Sequence, residues 1–322
     1  MRMLLLALSF VFSRRHVWCS ALLFISVLGF SNHSVAQLYK YQDAQGQWHF
    51  TDKKPSSDKS AEQFEVKTQK PRNSPVRLEL QMEEQADSST SLFVRNPFPA
   101  PIQCFFINKG SDKESNTEKS IVIEAKARIV ALDSLPTNAR GEDIGYRCLF
   151  GRPDSTPSTA PIAVPFTSFK SMRVSQSFNG EFSHFSEPNK YAIDIALPMG
   201  TKITAVRDGI VIDTEDSFAY AGYKSKFFED KANFVSVLHD DGTYATYAHL
   251  LIGKILVKPG QKVTTGQPLG YSGNTSFSTG PHLYFVIRYN KQGKSVSHPF
   301  KLLQSDGSIV TPLCGMWLLP HQ

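Results

Sequence analysis

Ser278-Thr279-Gly280-Pro281-His282-Leu283-Tyr284-Phe285 is the stretch on which the reading of this 322-residue chain turns. In an extended strand, residues two apart project from one face, so the side chains of His282 and Tyr284 are expected to enter the same site. Working outward, Phe182-Ser183-His184 precedes Lys190-Tyr191-Ala192-Ile193-Asp194-Ile195-Ala196-Leu197-Pro198-Met199-Gly200-Thr201. Ala205-Val206-Arg207-Asp208-Gly209-Ile210-Val211, Tyr247-Ala248-His249-Leu250, Gly266-Gln267-Pro268-Leu269-Gly270 and Ser272-Gly273-Asn274-Thr275 follow. Phe234 to Leu238 alternates, an Asp240-Asp241-Gly242 turn predicts a hairpin, and Tyr244 to Ala248 then carries His249 to a strand end.

Together, residues from about 174 to 300 resemble the lysostaphin-type (LytM-like) zinc endopeptidases, which cut peptide cross-links in bacterial peptidoglycan. The resemblance runs through several separated motifs in order and covers over a third of the chain. It implies an antiparallel β-sheet domain, a Zn2+ cofactor and peptidoglycan as partner. Carried over by position, it makes His184, Asp194 and Tyr284 the metal positions, and His249 and His282 the non-ligand pair that orients water and stabilises the intermediate. A catalytic zinc takes about three protein ligands and keeps one position open. A proton carrier and an oxyanion donor complete such a site.

Two departures stand out. Many members of the family place the first His four residues before the Asp, and Lys190 occupies that position here; His184 lies ten residues upstream, so a longer loop has to bring it back. The third ligand position is Tyr284, a phenol of ordinary pKa about 10, where the family has His. Asn274-Thr275-Ser276 also carries Ser where Gly is common. The residues therefore leave two readings open: a zinc metalloendopeptidase acting on wall peptide, or a catalytically degenerate wall-binding protein or activator of a wall amidase on the same scaffold.

The remaining histidines and acids read as ordinary. His239 is expected at a solvent-exposed turn, and Asp208 and Asp213 as turn residues. His298 is a weak candidate for a substitute ligand, His49 is a hairpin surface residue, and His321 has no argued role.

The amino terminus reads as a secretory signal: Arg14 and Arg15, an apolar run from Val17 to Phe30, then Ser34-Val35-Ala36, with cleavage near Ala36. Export to the periplasm or cell envelope is the expectation. Removing residues 1–36, which hold Arg2, Arg14 and Arg15 and no acid, lowers the formal charge from +6 to +3. That mild basicity suits an anionic wall polymer, and no basic-aromatic patch points to nucleic acid.

The expected architecture is mostly β. After the signal (1–36) comes a small hairpin module (37–57), its aromatics alternating around Gly46. It resembles a short module found on many exported proteobacterial proteins. A polar linker (58–74) leads to a β-sandwich (75–166) of short strands with Asn-Pro and Gly-rich turns, and then to the lysostaphin-type domain (167–322). Cys104 and Cys148 fall mid-strand in the sandwich and are expected to pair in an oxidising compartment. Cys19 belongs to the leader, and Cys314 is left over.

Overall fold

The computed structural model describes residues 37–42, 48–51, 62–65, 77–108, 118–135, 140–219, 221–222, 231–276 and 278–320. The expected signal segment lies outside these residues. The backbone divides into two compact units, Met1–Thr68 and Gln69–Gln322.

In the first unit, β1 (Gln37–Gln42) pairs antiparallel with β2 (Trp48–Thr51), the hairpin expected from the alternating aromatics. The opposite edge of β1 pairs with β3 (Glu62–Glu65). The expected linker 58–74 thus supplies a third strand. Glu-Gln-Phe-Glu carries too little apolar character to announce it; its ladder partner defines it.

The second unit begins with two three-stranded antiparallel sheets. One runs β4 (Glu79–Glu84), β5 (Thr90–Arg95), β8 (Arg128–Leu135). The other runs β7 (Glu118–Ile123), β6 (Ile102–Asn108), β9 (Ile144–Phe150). Alternation places Leu92 and Val94 from one sheet against Ile102, Cys104 and Phe106 from the other in a common core. Cys104 sits directly opposite Cys148 in the β6–β9 ladder, and the two are joined by a disulfide.

The other face of β6 is buried as well, because it abuts the C-terminal domain. Asn290 donates to Gln103 Oε1 (2.8 Å) and to the Gly151 carbonyl, and Arg147 stacks on Phe105 while donating to the Gly293 carbonyl. Ile212 and Tyr244 of that domain complete the sandwich core.

The C-terminal domain is built on a nine-stranded sheet. In chain order its strands are β12 (Met172–Gln176), β13 (Ile193–Ala196), β15 (Gly209–Glu215), β16 (Phe234–Leu238), β17 (Tyr244–Ala248), β18 (Lys262–Val263), β20 (His282–Lys291), β21 (Lys294–Ser297) and β24 (Trp317–Leu318). Spatially they run β18-β15-β16-β17-β20-β13-β12-β24, with β21 hairpinned onto β20. Two small sheets close the core: β10 (Ile162–Ala163) with β22 (Leu302–Leu303) and β23 (Ile309–Val310), and β11 (Phe166–Thr167) with β14 (Lys202–Thr204) and β19 (Pro268–Tyr271). β10 and β11, on either side of residue 165, pair with the C-terminal strands β22 and β14. Among the described residues there is no α-helix.

Strand β17 is buried along its whole length. Ala245 and Tyr247 point into the core, where the Tyr247 hydroxyl accepts the Val206 N–H. Tyr244, Thr246 and Ala248 point the other way and floor a groove of about 1770 Å³. The Asp240–Gly242 turn joins β16 to β17 as expected. His239 beside it is buried rather than solvent-exposed, held by the Asp208 carbonyl at 2.8 Å, since the strand end folds back under the 207–209 turn. Asp208 is a turn residue bonded to Thr265, but Asp213 lies within β15 and faces the groove.

The disulfide closes a separation of 44 residues. In the chain-entropy account such a crosslink stabilises by on the order of 4 kcal/mol. Intact mass before and after reduction should therefore show one disulfide, and Cys104→Ser/Cys148→Ser should unfold at clearly lower urea; two free thiols in oxidised protein would contradict the pairing.

Candidate active site

One cross-strand row builds the site. Gln176 of β12 lies opposite Asp194 of β13, Asp194 opposite Tyr284 of β20, and Tyr284 opposite Ala248 of β17. Facing residues in such a row share a side of the sheet, so the Asp194 carboxylate and the Tyr284 ring enter the groove together. His282 is two residues before Tyr284 on the same face, and His249 follows Ala248 immediately. His249 leaves its strand in the left-handed region (φ 64°), a conformation that costs a non-glycine residue about 1 kcal/mol or more and recurs at functional sites.

The loop between β12 and β13 returns His184 to this row. Gln176 clamps it: its amide nitrogen donates to Ser183 Oγ and to Asp194 Oδ2 (both 2.8 Å), and its oxygen accepts the N–H groups of Phe182 and Ser183. This clamp is why a ten-residue spacing still brings His184 to Asp194, with Lys190 in the usual ligand position taking no part. His184 is fully buried.

The imidazoles share one design. His184 Nδ1 meets the Ser177 carbonyl at 3.2 Å, His249 Nδ1 the Thr275 carbonyl at 2.6 Å, and His282 Nδ1 the Gly280 carbonyl at 2.8 Å. A carbonyl oxygen only accepts, so each Nδ1 carries the proton and each Nε2 presents a lone pair. His184 Nε2 faces Asp194 Oδ1 at 3.4 Å and His282 Nε2 faces the same oxygen at 3.8 Å. Both His184 Nε2 and Asp194 Oδ1 are buried without a hydrogen-bond partner. With the ring neutral these are two acceptors held face to face in a buried place, a gap that a metal cation or a proton on His184 Nε2 would close.

Burial raises the Asp194 carboxyl, but a hydrogen bond from His184, positive charge at His184 and His282, and the Gln176 amide outweigh it and hold it below the ordinary range. Burial, helped by the neighbouring His282, pushes His249 down to about 4, which keeps its imidazole neutral. The His249 and His282 rings lie 4.4 Å apart.

Tyr284 departs from the ligand position that the resemblance gives it. Its hydroxyl donates to Asn189 Oδ1 (2.8 Å) and accepts from Arg288 Nη2 (2.8 Å), and burial raises its pKa, so it remains a neutral phenol. Its ring packs edge-on to His184 and His249. Among the described residues no group of three or more His, Cys, Asp or Glu side chains closes around a metal position. The atoms that could hold a zinc ion are His184 Nε2 and Asp194 Oδ1, with His282 Nε2 facing the same oxygen; the Tyr284 hydroxyl is not among them. His298 stands elsewhere, edge-on to Tyr289, and is no substitute. Cys314 is a free, exposed thiol.

Residues 188–297 match the family model for peptidase family M23, and residues 25–79 match a domain of unknown function (DUF4124). The C-terminal domain is a peptidase family M23 domain. The chain is 35% identical over 138 residues to an uncharacterized metalloprotease of Buchnera aphidicola subsp. Baizongia pistaciae, covering 42% of this chain and 33% of that one. It is 42% identical over 94 residues to the peptidoglycan DD-endopeptidase ShyA of Vibrio cholerae, covering 29% and 19%. The crystallised catalytic domain of the prophage-encoded M23 protein EnpA from Enterococcus faecalis aligns at 27% identity with a TM-score of 0.31, covering 41% of this chain and 92% of that one. The chain thus spans about a third of the first relative and a fifth of the second.

Three site residues escaped the motif reading. Arg288 lies four residues beyond Tyr284, an even spacing that puts it on the same strand face, and that signal was present in the sequence. Gln176 and Asn189 had no such signal, because loop geometry alone brings them in. The Ser at position 276, where the M23 family often has Gly, sits at φ 74°. That left-handed conformation is unstrained only for glycine.

Gly273 receives the chain just after His249, donating its N–H to the His249 carbonyl, and a Cβ there would lie 2.6 Å from the Leu251 nitrogen. Gly273→Ala is expected to cost at least about 2 kcal/mol in urea melts. Gly280→Ala, where an added carbon meets nothing within 4 Å, should stay within about 0.5 kcal/mol. Equal stability of the two variants would contradict this packing.

Proposed function

We propose that the protein is an exported, peptidoglycan-directed endopeptidase that hydrolyses peptide cross-links of the bacterial cell wall with a zinc ion held by two protein ligands, His184 and Asp194. The observation that carries the reading is the buried, unpaired pair His184 Nε2 and Asp194 Oδ1, with His282 and His249 fixed beside it. The named peptidoglycan endopeptidase among the relatives supports the substrate class. The amino-terminal sequence supports export.

When bound, zinc supplies Lewis-acid polarisation and a lowered water pKa. The chain's own residues do the rest. The anchored Nδ1–H of His282 and of His249 leaves Nε2 of each ready to take a proton and return it to the leaving nitrogen. Once protonated, either Nε2–H can donate to the oxyanion of the tetrahedral intermediate. Thr246 and Ala248 line the groove beside them, where the wall peptide would lie.

A second reading, a wall-binding module or an activator of a wall amidase without hydrolysis, is favoured by one observation. The Tyr284 hydroxyl is spent on Asn189 and Arg288, so the third ligand of a catalytic zinc site is missing.

Release of soluble muropeptides from purified sacculi separates the readings. The endopeptidase reading expects slow, zinc-dependent release by the natural chain, its loss in His282→Ala, and faster release by Tyr284→His. No release by any variant, with sacculus binding intact and zinc bound in Tyr284→His, would leave the binding reading standing.

A further inference from the structure

We propose that Arg288 is the groove's carboxylate-recognition residue, taking a free carboxylate of the peptide that lies along β20; this rests on the wall-peptide reading above and gives it a specificity determinant. Arg288 lines the same cavity as Asp194, His249, His282 and Tyr284. A guanidinium has five N–H donors. Here Nε donates to the Pro188 carbonyl (2.9 Å), and Nη2 donates to Asn189 Oδ1 (2.7 Å) and to the Tyr284 hydroxyl (2.8 Å). Those three bonds fix the plane of the group. Both N–H groups of Nη1 are left without a protein partner among the described residues.

All three acceptors are neutral. Among the described residues Arg288 forms no ion pair, whereas Arg95, Arg128, Arg147, Arg152 and Arg207 each do. The adjacent acid, Glu187, makes no ion pair with Arg288 and accepts the Ser297 N–H and hydroxyl (both 2.7 Å). An oriented, half-buried guanidinium with an open edge and no counter-charge is the arrangement that favours an incoming anion. Tyr284 belongs to this device: the hydroxyl that stands where the family has a ligand holds Arg288 in place instead. The groove offers the peptide a cation next to the row that carries Asp194 and the two catalytic imidazoles.

The test uses the mature chain and two synthetic tetrapeptides of wall-stem composition, identical except that one ends in a free carboxylate and the other in a carboxamide. Calorimetric titration is expected to show roughly tenfold tighter binding of the free acid, the size of one charge-assisted hydrogen bond. Arg288→Gln should bind the two peptides alike, and Arg288→Lys should keep a reduced preference for the acid. If Arg288→Gln melts early, a severalfold loss of preference in Arg288→Lys carries the result. Retention of the full preference by either variant would overturn the proposal. Displacement of the acid peptide by equimolar inorganic phosphate would also overturn it, since the site would then be a generic anion site. A natural chain that binds sacculi but binds both peptides equally would remove Arg288's role and leave the wall reading intact. A chain that binds neither peptides nor sacculi would remove both.

Discussion

Everything in the groove depends on three backbone carbonyls. Ser177, Thr275 and Gly280 each accept the Nδ1–H of an imidazole, and that fixes where the lone pairs of His184, His249 and His282 point. Without those acceptors the rings could turn over, and Asp194 Oδ1 would find an ordinary donor. With them, a carboxylate and a buried imidazole nitrogen confront one another, an arrangement that is unfavourable unless a proton or a metal cation lies between. The loop clamp of Gln176 returns His184 to Asp194, and Gly273 bonds the His249 carbonyl where the chain leaves β17.

Tyr284 changes what that constraint can achieve. An imidazole at this strand position would add a neutral nitrogen to the pair of His184 Nε2 and Asp194 Oδ1. A buried phenol has the opposite tendency, because burial favours its protonated form and a protonated phenol is a poor ligand. The hydroxyl also has better partners close by in Asn189 and Arg288. In the proposed reading the two imidazoles of His249 and His282 remain to handle protons, while Tyr284 is withdrawn from the metal. The sandwich is coupled to the same strand, since Asn290 at the far end of β20 bonds to Gln103 and the Gly151 carbonyl.

Much of this was legible in the sequence, for definite physical reasons. Strand periodicity placed His282 and Tyr284 on one face, the Asp240-Asp241-Gly242 turn marked the β16–β17 hairpin, and two mid-strand cysteines in an expected oxidising compartment pointed to the 104–148 pairing. What escaped depends on distant partners. The four residues of β3 look like linker because only the ladder to β1 makes them a strand. His239 looks like a turn residue because nothing local reveals that the 207–209 turn covers it. The fate of the Tyr284 hydroxyl is set by Asn189, 95 residues away in sequence, and no pattern on β20 alone discloses it.

Zinc affinity in competition with a chelator, measured on the natural chain, Tyr284→Phe and His184→Ala, tests the two-ligand site most directly. The account predicts one weakly held zinc per natural chain, the same affinity in Tyr284→Phe, because the phenol hydroxyl is not a ligand, and loss of binding in His184→Ala. A stoichiometric, chelator-resistant zinc in the natural chain that Tyr284→Phe loses would contradict it.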